Sequence, residues 1–190
     1  MAEENINTPK LADDSKAKKM MKISAIMDFV TAAVYLAVST TIIVIGANMM
    51  NFTPEGEEGA EVLGSAIAGI FVILIGIIFV FYGALSLIFF IVSVSYGGTT
   101  LALLKKPIDV VARRVRAIKV GAILGFIFSA ALVVAGVVSA IGSPVSIVLF
   151  FVLAGMTIAT SVVNIKMVGA VNEEWAKERE RREEAGEYPV

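Results

Sequence analysis

One acidic side chain lies inside an otherwise apolar stretch of this 190-residue sequence, and it is the first candidate for chemistry. Asp28 is followed by Thr31, Tyr35 and Ser39 at +3, +7 and +11, so the four residues would share one face of a helix. An ionisable side chain inside a membrane is costly and marks a functional hypothesis. The chemistry it suggests is proton binding in a transporter, because protonation removes the charge.

A structural role for Asp28 competes with this proton site. Asp28 lies six residues past Lys22, about 9 Å along a helix, which places it near a membrane surface. Lys166, at the end of the last apolar stretch, would lie at a similar depth. The two side chains would then form an intramembrane ion pair, and the sequence leaves both roles open.

Other chemistry is excluded by composition. The chain has no cysteine and no histidine, which rules out thiol nucleophiles, Ser-His catalysis, disulfides and histidine-ligated haem. No catalytic constellation can be assembled from the remaining residues. We therefore expect a protein that is not an enzyme and that holds no metal or cofactor. The net charge of −1 argues against a nucleic-acid partner.

Basic residues concentrate in the segment 105–119. From Pro107 onward its apolar residues can share one side of a short helix, with the basic side chains around the other. This pattern predicts a helix that lies on anionic lipid headgroups. The basic residues of this predicted lipid surface are Lys105, Lys106, Arg113, Arg114, Arg116 and Lys119.

Small residues recur at regular spacing in the second and third apolar stretches. In lipid no hydrophobic force holds helices together, so association depends on small residues that let the backbones approach. The pattern predicts helix packing, and a transport pore along the same seam is the alternative. The predicted packing residues are Gly69, Gly76, Gly83, Gly121 and Gly125.

The elements that must position these residues are four apolar stretches, each long enough to cross about 30 Å of hydrocarbon as a helix. Apolar residues make up 57% of the chain and charged residues 17%, against about 25% charged in soluble domains. We predict an all-α, multi-pass membrane protein, a four-helix bundle of two antiparallel hairpins. The predicted spans are residues 23–49, 54–97, 120–141 and 144–166.

The second of these helices is unusually long. Residues 62–104 carry no charge, which corresponds to about 64 Å of helix. We predict one continuous helix that ends near Gly97 and Gly98, because two spans here would place the basic segment on the wrong side of the membrane. Its apolar length exceeds the bilayer, so the helix must tilt strongly or project beyond the lipid. A projecting uncharged end would prefer cover from another protein.

The basic residues also predict the orientation. All 16 Lys and Arg residues lie before residue 23, within 105–119 or after residue 165, and none lies in 50–61 or 142–143. The positive-inside rule therefore predicts a cell-membrane protein with both termini in the cytoplasm. The predicted parts are a polar N-terminal segment (1–22), the transmembrane domain with its basic cytoplasmic loop (23–170) and a charged, helical cytoplasmic tail (171–190).

These features favour a non-enzymatic accessory or scaffold subunit of a larger membrane complex. Its expected partners are other membrane-protein subunits, identical or different, and a bilayer with anionic headgroups. The alternative is a small oligomeric channel or a proton-coupled transporter that uses Asp28.

Cysteine labelling tests the orientation, because the chain has no cysteine of its own. An impermeant maleimide should label Glu57→Cys and Arg114→Cys from opposite sides of the membrane. Labelling of both positions from the same side of sealed vesicles would contradict the four-span topology.

Overall fold

The computed structural model describes residues 10–12, 14–51, 60–139 and 144–186, and nearly all of these residues are helical. Each of the four helices is long and apolar enough to cross a membrane. This confirms the predicted all-α chain with four membrane-span-length helices. The predicted start of the second helix at residue 54 and the turn at 142–143 lie outside the described residues. The helices are α1 (Lys16–Met50), α2 (Ala60–Leu103), α3 (Ile108–Ser139) and α4 (Pro144–Glu184).

Local signals explain several helix ends. The Ser15 hydroxyl accepts a hydrogen bond from the backbone N–H of Lys18 at 3.2 Å, which caps the first turn of α1. Pro107 immediately precedes α3, and its carbonyl accepts the N–H of Val111. Gly186 follows α4 with a φ of 70°, the left-handed conformation that glycine adopts most readily.

The end of α2 differs from the sequence-based prediction. The helix continues through Gly97 and Gly98 to Leu103. A Cβ at Gly97 would lie 3.1 Å from the ring of Phe29, so this glycine lets α1 approach rather than ending the helix. Pro107, which cannot continue a helix, follows soon after the actual end.

The structure of the basic segment 105–119 also differs from the sequence-based prediction. Residues 108–119 are not a separate helix, because they form the first turns of the continuous helix α3. Their apolar side chains are buried in the protein core and so are not free to enter lipid, which corrects the predicted amphipathic surface helix. All six predicted basic residues remain exposed. The buried side chains are Ile108, Val111, Ala112, Val115 and Ile118.

The described chain packs into two compact units, and each helix has one part in each unit. The first unit comprises residues 10–30, 94–127 and 157–186. Its core includes Met21, Leu103 and Met167. At one end of this unit Asp109 accepts hydrogen bonds from Trp175 Nε1 (3.0 Å) and Arg182 Nη1 (3.2 Å). These contacts fix the charged part of α4 to the start of α3.

Glu178 completes this charged contact. Its carboxylate accepts hydrogen bonds from Arg181 and from Arg182. The bond from Arg181, with the bond from Arg182 added to it, lowers the pKa of Glu178 against the opposing effect of partial burial. The carboxylate therefore stays charged at neutral pH and holds Arg182 in place.

The second unit comprises the described parts of residues 31–93 and 128–156. Aromatic side chains dominate its core. The rings of Phe79 and Phe150 meet edge to face at 5.8 Å, and those of Phe89 and Phe128 stack at 3.7 Å. Such contacts add to the area that large side chains bury.

Glycines allow α1 and α2 to approach closely in this second unit. A Cβ at Gly76 would lie 2.7 Å from the carbonyl oxygen of Gly46, and one at Gly83 would lie 3.2 Å from the carbonyl oxygen of Ser39. Gly69 is also buried. Larger side chains at Gly76 or Gly83 would push the two backbones apart.

Gly76→Leu tests this close approach. We expect it to lower the unfolding temperature in detergent or to abolish folding, because overpacking at a backbone contact usually costs about 1–3 kcal/mol or more. Gly98→Leu is the matched control, since nothing lies within 4 Å of a Cβ at Gly98. Equal unfolding temperatures for the two variants would mean that the glycine contact between α1 and α2 does not hold these helices together.

Candidate intramembrane polar site

Three polar side chains from two helices form a hydrogen-bonded chain in the interior of the first unit. Asn164 of α4 donates from Nδ2 to Oδ1 of Asp28 on α1, at 3.1 Å. The amide oxygen of Asn164 accepts the hydroxyl hydrogen of Ser24. Ser24 and Asp28 are one helical turn apart, so the single amide of Asn164 contacts both. All three residues are buried.

One atom of this site is unsatisfied. Oδ2 of Asp28 is buried and has no hydrogen-bond partner within the described part of the chain. The hydroxyl of Thr100, on α2 in the same unit, is also buried and also has no hydrogen-bond partner among the described residues. A buried acceptor without a partner is costly in free energy. The site therefore has one carboxylate oxygen with a hydrogen-bond partner and one buried carboxylate oxygen without a partner among the described residues.

Glycines allow close helix contacts in the unit that holds this site. A Cβ at Gly97 would lie 3.3 Å from the Cβ of Asp28, so α2 contacts α1 beside the carboxylate. A Cβ at Gly125 would meet the hydroxyl of Ser161, and one at Gly121 would meet the ring of Tyr96. Two of the predicted packing residues, Gly121 and Gly125, thus lie at helix contacts of the first unit.

Lys166 does not contact Asp28. It is exposed, and no salt bridge joins it to Asp28 in the structure, where both residues are described. Asn164 makes the contact instead. Residues two positions apart point in nearly opposite directions on a helix, about 200° around its axis, so Asn164 and Lys166 cannot both reach Asp28. The intramembrane ion pair is therefore replaced by an amide–carboxylate hydrogen bond.

The rest of the predicted polar stripe is buried as well. Thr31, Tyr35 and Ser39 are each almost fully inaccessible in the second unit. The hydroxyl of Ser39 has no hydrogen-bond partner among the residues that the structure describes. Sequence reasoning missed Ser24 and Gly46, although Ser24 lies one turn before Asp28 on the same face and so extends the stripe.

The described residues contain no group of three or more acidic side chains that could hold a metal ion. Fold and site together define a multi-pass integral membrane protein with a buried polar contact between two of its helices. Comparison with known proteins adds nothing to this class, since no family model, curated protein or solved structure matches the chain.

Replacing Asn164 tests the polar site. Asn164→Leu leaves Asp28 and Ser24 buried without partners, and we expect a loss of about 3 kcal/mol in unfolding free energy. Asn172→Leu is the matched control, an exposed asparagine on the same helix, with an expected change within about 0.5 kcal/mol. The measurement is unfolding in mixed micelles, followed by circular dichroism.

The triple variant Ser24→Ala, Asp28→Leu, Asn164→Leu removes every member of the site. It should be more stable than Asn164→Leu alone, because apolar groups then replace all partners and none is left unpaired. A triple variant less stable than the single variant would show that the unpaired groups are not the source of the cost.

Proposed function

We propose that this integral membrane protein is a non-enzymatic accessory or scaffold subunit of a larger membrane assembly, and that α2 contacts the partner subunit. One observation supports the proposal most strongly. Large apolar side chains are exposed along almost the whole of α2, over a greater length than a bilayer's hydrocarbon layer can cover.

The length of this exposed face decides the argument. From Ile67 to Leu101 it covers 35 residues, so its two ends lie about 51 Å apart along the helix. At a tilt of 40°, the upper end of the usual range, it would still extend about 39 Å along the membrane normal, against about 30 Å of hydrocarbon. The exposed large side chains between these ends are Ile70, Phe71, Leu74, Ile77, Ile78, Phe81, Ile88, Ile91 and Val94.

An apolar surface that extends beyond the lipid tails is stabilised when another protein covers it. Exposed apolar patches of this kind mark interaction sites in proteins generally. The partner is a membrane-spanning subunit, identical or different, whose own helix would lie along α2. The small exposed residue Ala84, in the middle of the face, favours close approach of such a helix.

The arrangement that we infer is two antiparallel hairpins, α1–α2 and α3–α4. Contacts between α1 and α2 support it: as the residue number rises on α1 it falls on α2, from Phe29 with Gly97 to Gly46 with Gly76. Contacts between α3 and α4 follow the same rule, with Gly125 near Ser161 and Gly136 near Phe150. The positive-inside rule, applied to the distribution of the basic residues, supports a cytoplasmic location for both termini.

In a subunit of this kind the polar site has a structural role. A hydrogen bond between two buried side chains fixes the rotation and the register of one helix against another, because any slip leaves both unpaired. Asn164 and Asp28 would in this way fix α4 on α1, so that α2 is presented to the partner on a rigid support.

A channel or proton-coupled transporter is the second candidate, and one observation favours it. The carboxylate oxygen Oδ2 of Asp28 is buried without a hydrogen-bond partner among the described residues. An intramembrane carboxylate with a free oxygen is the typical binding group for a transported proton or cation.

Site-specific photo-crosslinking in native membranes tests the accessory role. Benzoylphenylalanine at Phe71 or Phe81, on the exposed face of α2, should crosslink to a discrete protein band. The matched control is Phe151, an exposed phenylalanine of α4, at which we expect lipid adducts only. Lipid adducts alone at all three positions would contradict a partner on α2.

Reconstitution of the purified chain distinguishes the two candidates. An accessory subunit should give no proton- or ion-driven flux in liposomes. A robust flux that Asp28→Asn abolishes, with the variant still folded, would replace the accessory role by the transporter.

A further inference from the structure

A groove between α1 and α4 lies on the face of the first unit that carries Lys166. Its volume is about 480 Å³, and it is lined by Lys16, Met20, Lys166, Gly169, Ala170 and Glu173. Its floor is apolar, and its rim carries two lysines and one glutamate. The proposed function gives this groove no role.

The depth of the groove matches the headgroup layer of a bilayer. Lys166 is the first charged residue after the apolar part of α4, so it marks the end of the hydrocarbon region on that helix. Glu173 lies seven residues further on, about 10 Å along the helix. The headgroup layer is about 5–8 Å thick on each side of a bilayer, so the groove opens into this layer.

The charges of the groove favour an anion. Lys166 is exposed and has no salt-bridge partner in the described chain. Lys16 contacts Glu173 at 3.4 Å, and both side chains are more than half exposed. An ion pair this exposed is weak, so a phosphate group can compete with Glu173 for Lys16. The N-terminus of α1 begins at Lys16 and adds a partial positive charge.

We propose that this groove is a binding site for one anionic phospholipid, with its phosphate between Lys16 and Lys166. The glycerol backbone lies over Met20 and the open surface at Gly169, where nothing lies within 4 Å of a Cβ. The acyl chains continue past Lys166 into the hydrocarbon. A choline headgroup fits poorly, because its quaternary ammonium would face two lysines. Basic grooves between membrane helices at headgroup depth bind anionic lipids in other proteins.

A fluorescent reporter in the groove tests the site directly. Gly169→Cys provides one thiol in a chain without cysteine, and a bimane label there would contact a bound lipid. In phosphatidylcholine liposomes, brominated phosphatidylglycerol should quench the label at about fivefold lower mole fraction than brominated phosphatidylcholine, the factor expected for one lysine near the surface. Ile127→Cys, an exposed position of α3 eight residues beyond the basic segment 105–119, reports on bulk lipid and should show no such preference.

Two substitutions separate this site from general surface charge. Lys166→Gln should remove the preference at the Gly169 label, whereas Lys119→Gln, an exposed lysine that does not line the groove, should keep it. An unchanged preference in Lys166→Gln, or an equal preference at Ile127, would overturn the proposal. Loss of the quenching when millimolar inorganic phosphate is added would also overturn the proposal, since the groove would then bind a soluble anion.

Native mass spectrometry of the unlabelled protein gives a second measurement that does not depend on the reporter. The wild-type chain should retain phosphatidylglycerol adducts in mild detergent, and Lys166→Gln should lose them. Equal retention by both would contradict the site. This result is independent of whether α2 has a partner, so the two proposals can fail separately.

Discussion

The structure depends on one constraint: a polar group enclosed by apolar helices must find its partner within the protein. The main chain satisfies this constraint by forming helices, and side chains must satisfy it by contacts between helices. The hydrogen bonds from Ser24 to Asn164 and from Asn164 to Asp28 meet it for three side chains of the first unit. Only one position of α4 against α1 allows both bonds, so the polar site specifies how these helices pack.

Two different forces hold the described units. Where the helices are apolar on all sides, burial in lipid provides no attraction between them, and small residues such as Gly46 and Gly76 allow van der Waals contact of the backbones. The charged end of the first unit lies beyond these apolar segments and uses ordinary hydrogen bonds and ion pairs instead. Asp109 there connects Trp175 and Arg182 to the start of α3.

The sequence predicts the helices better than it predicts their contacts. Charge-free length determines the four helices, because few other structures satisfy the backbone in lipid. The predicted end of α2 at Gly97 is wrong because glycine suits both a helix end and a close contact between helices. Only the position of Phe29 beside Gly97 shows that the second role is the one used here. The sequence does not predict the partner of Asp28, because Lys166 and Asn164 both lie at a suitable depth in the membrane. Their directions around α4 become visible only when the rotation of that helix is known.

The contact between Ser24 and Asn164 gives the most direct test of this account, because it joins α1 to α4 inside the apolar region. The chain has no cysteine, so Ser24→Cys with Asn164→Cys introduces one pair of thiols. The account predicts that mild oxidation or a short bis-thiol linker joins this pair in native membranes, while Ser24→Cys with Val162→Cys, an exposed position of α4, stays unlinked. Efficient linking at Val162 and none at Asn164 would show that α4 is rotated and that the polar site does not exist.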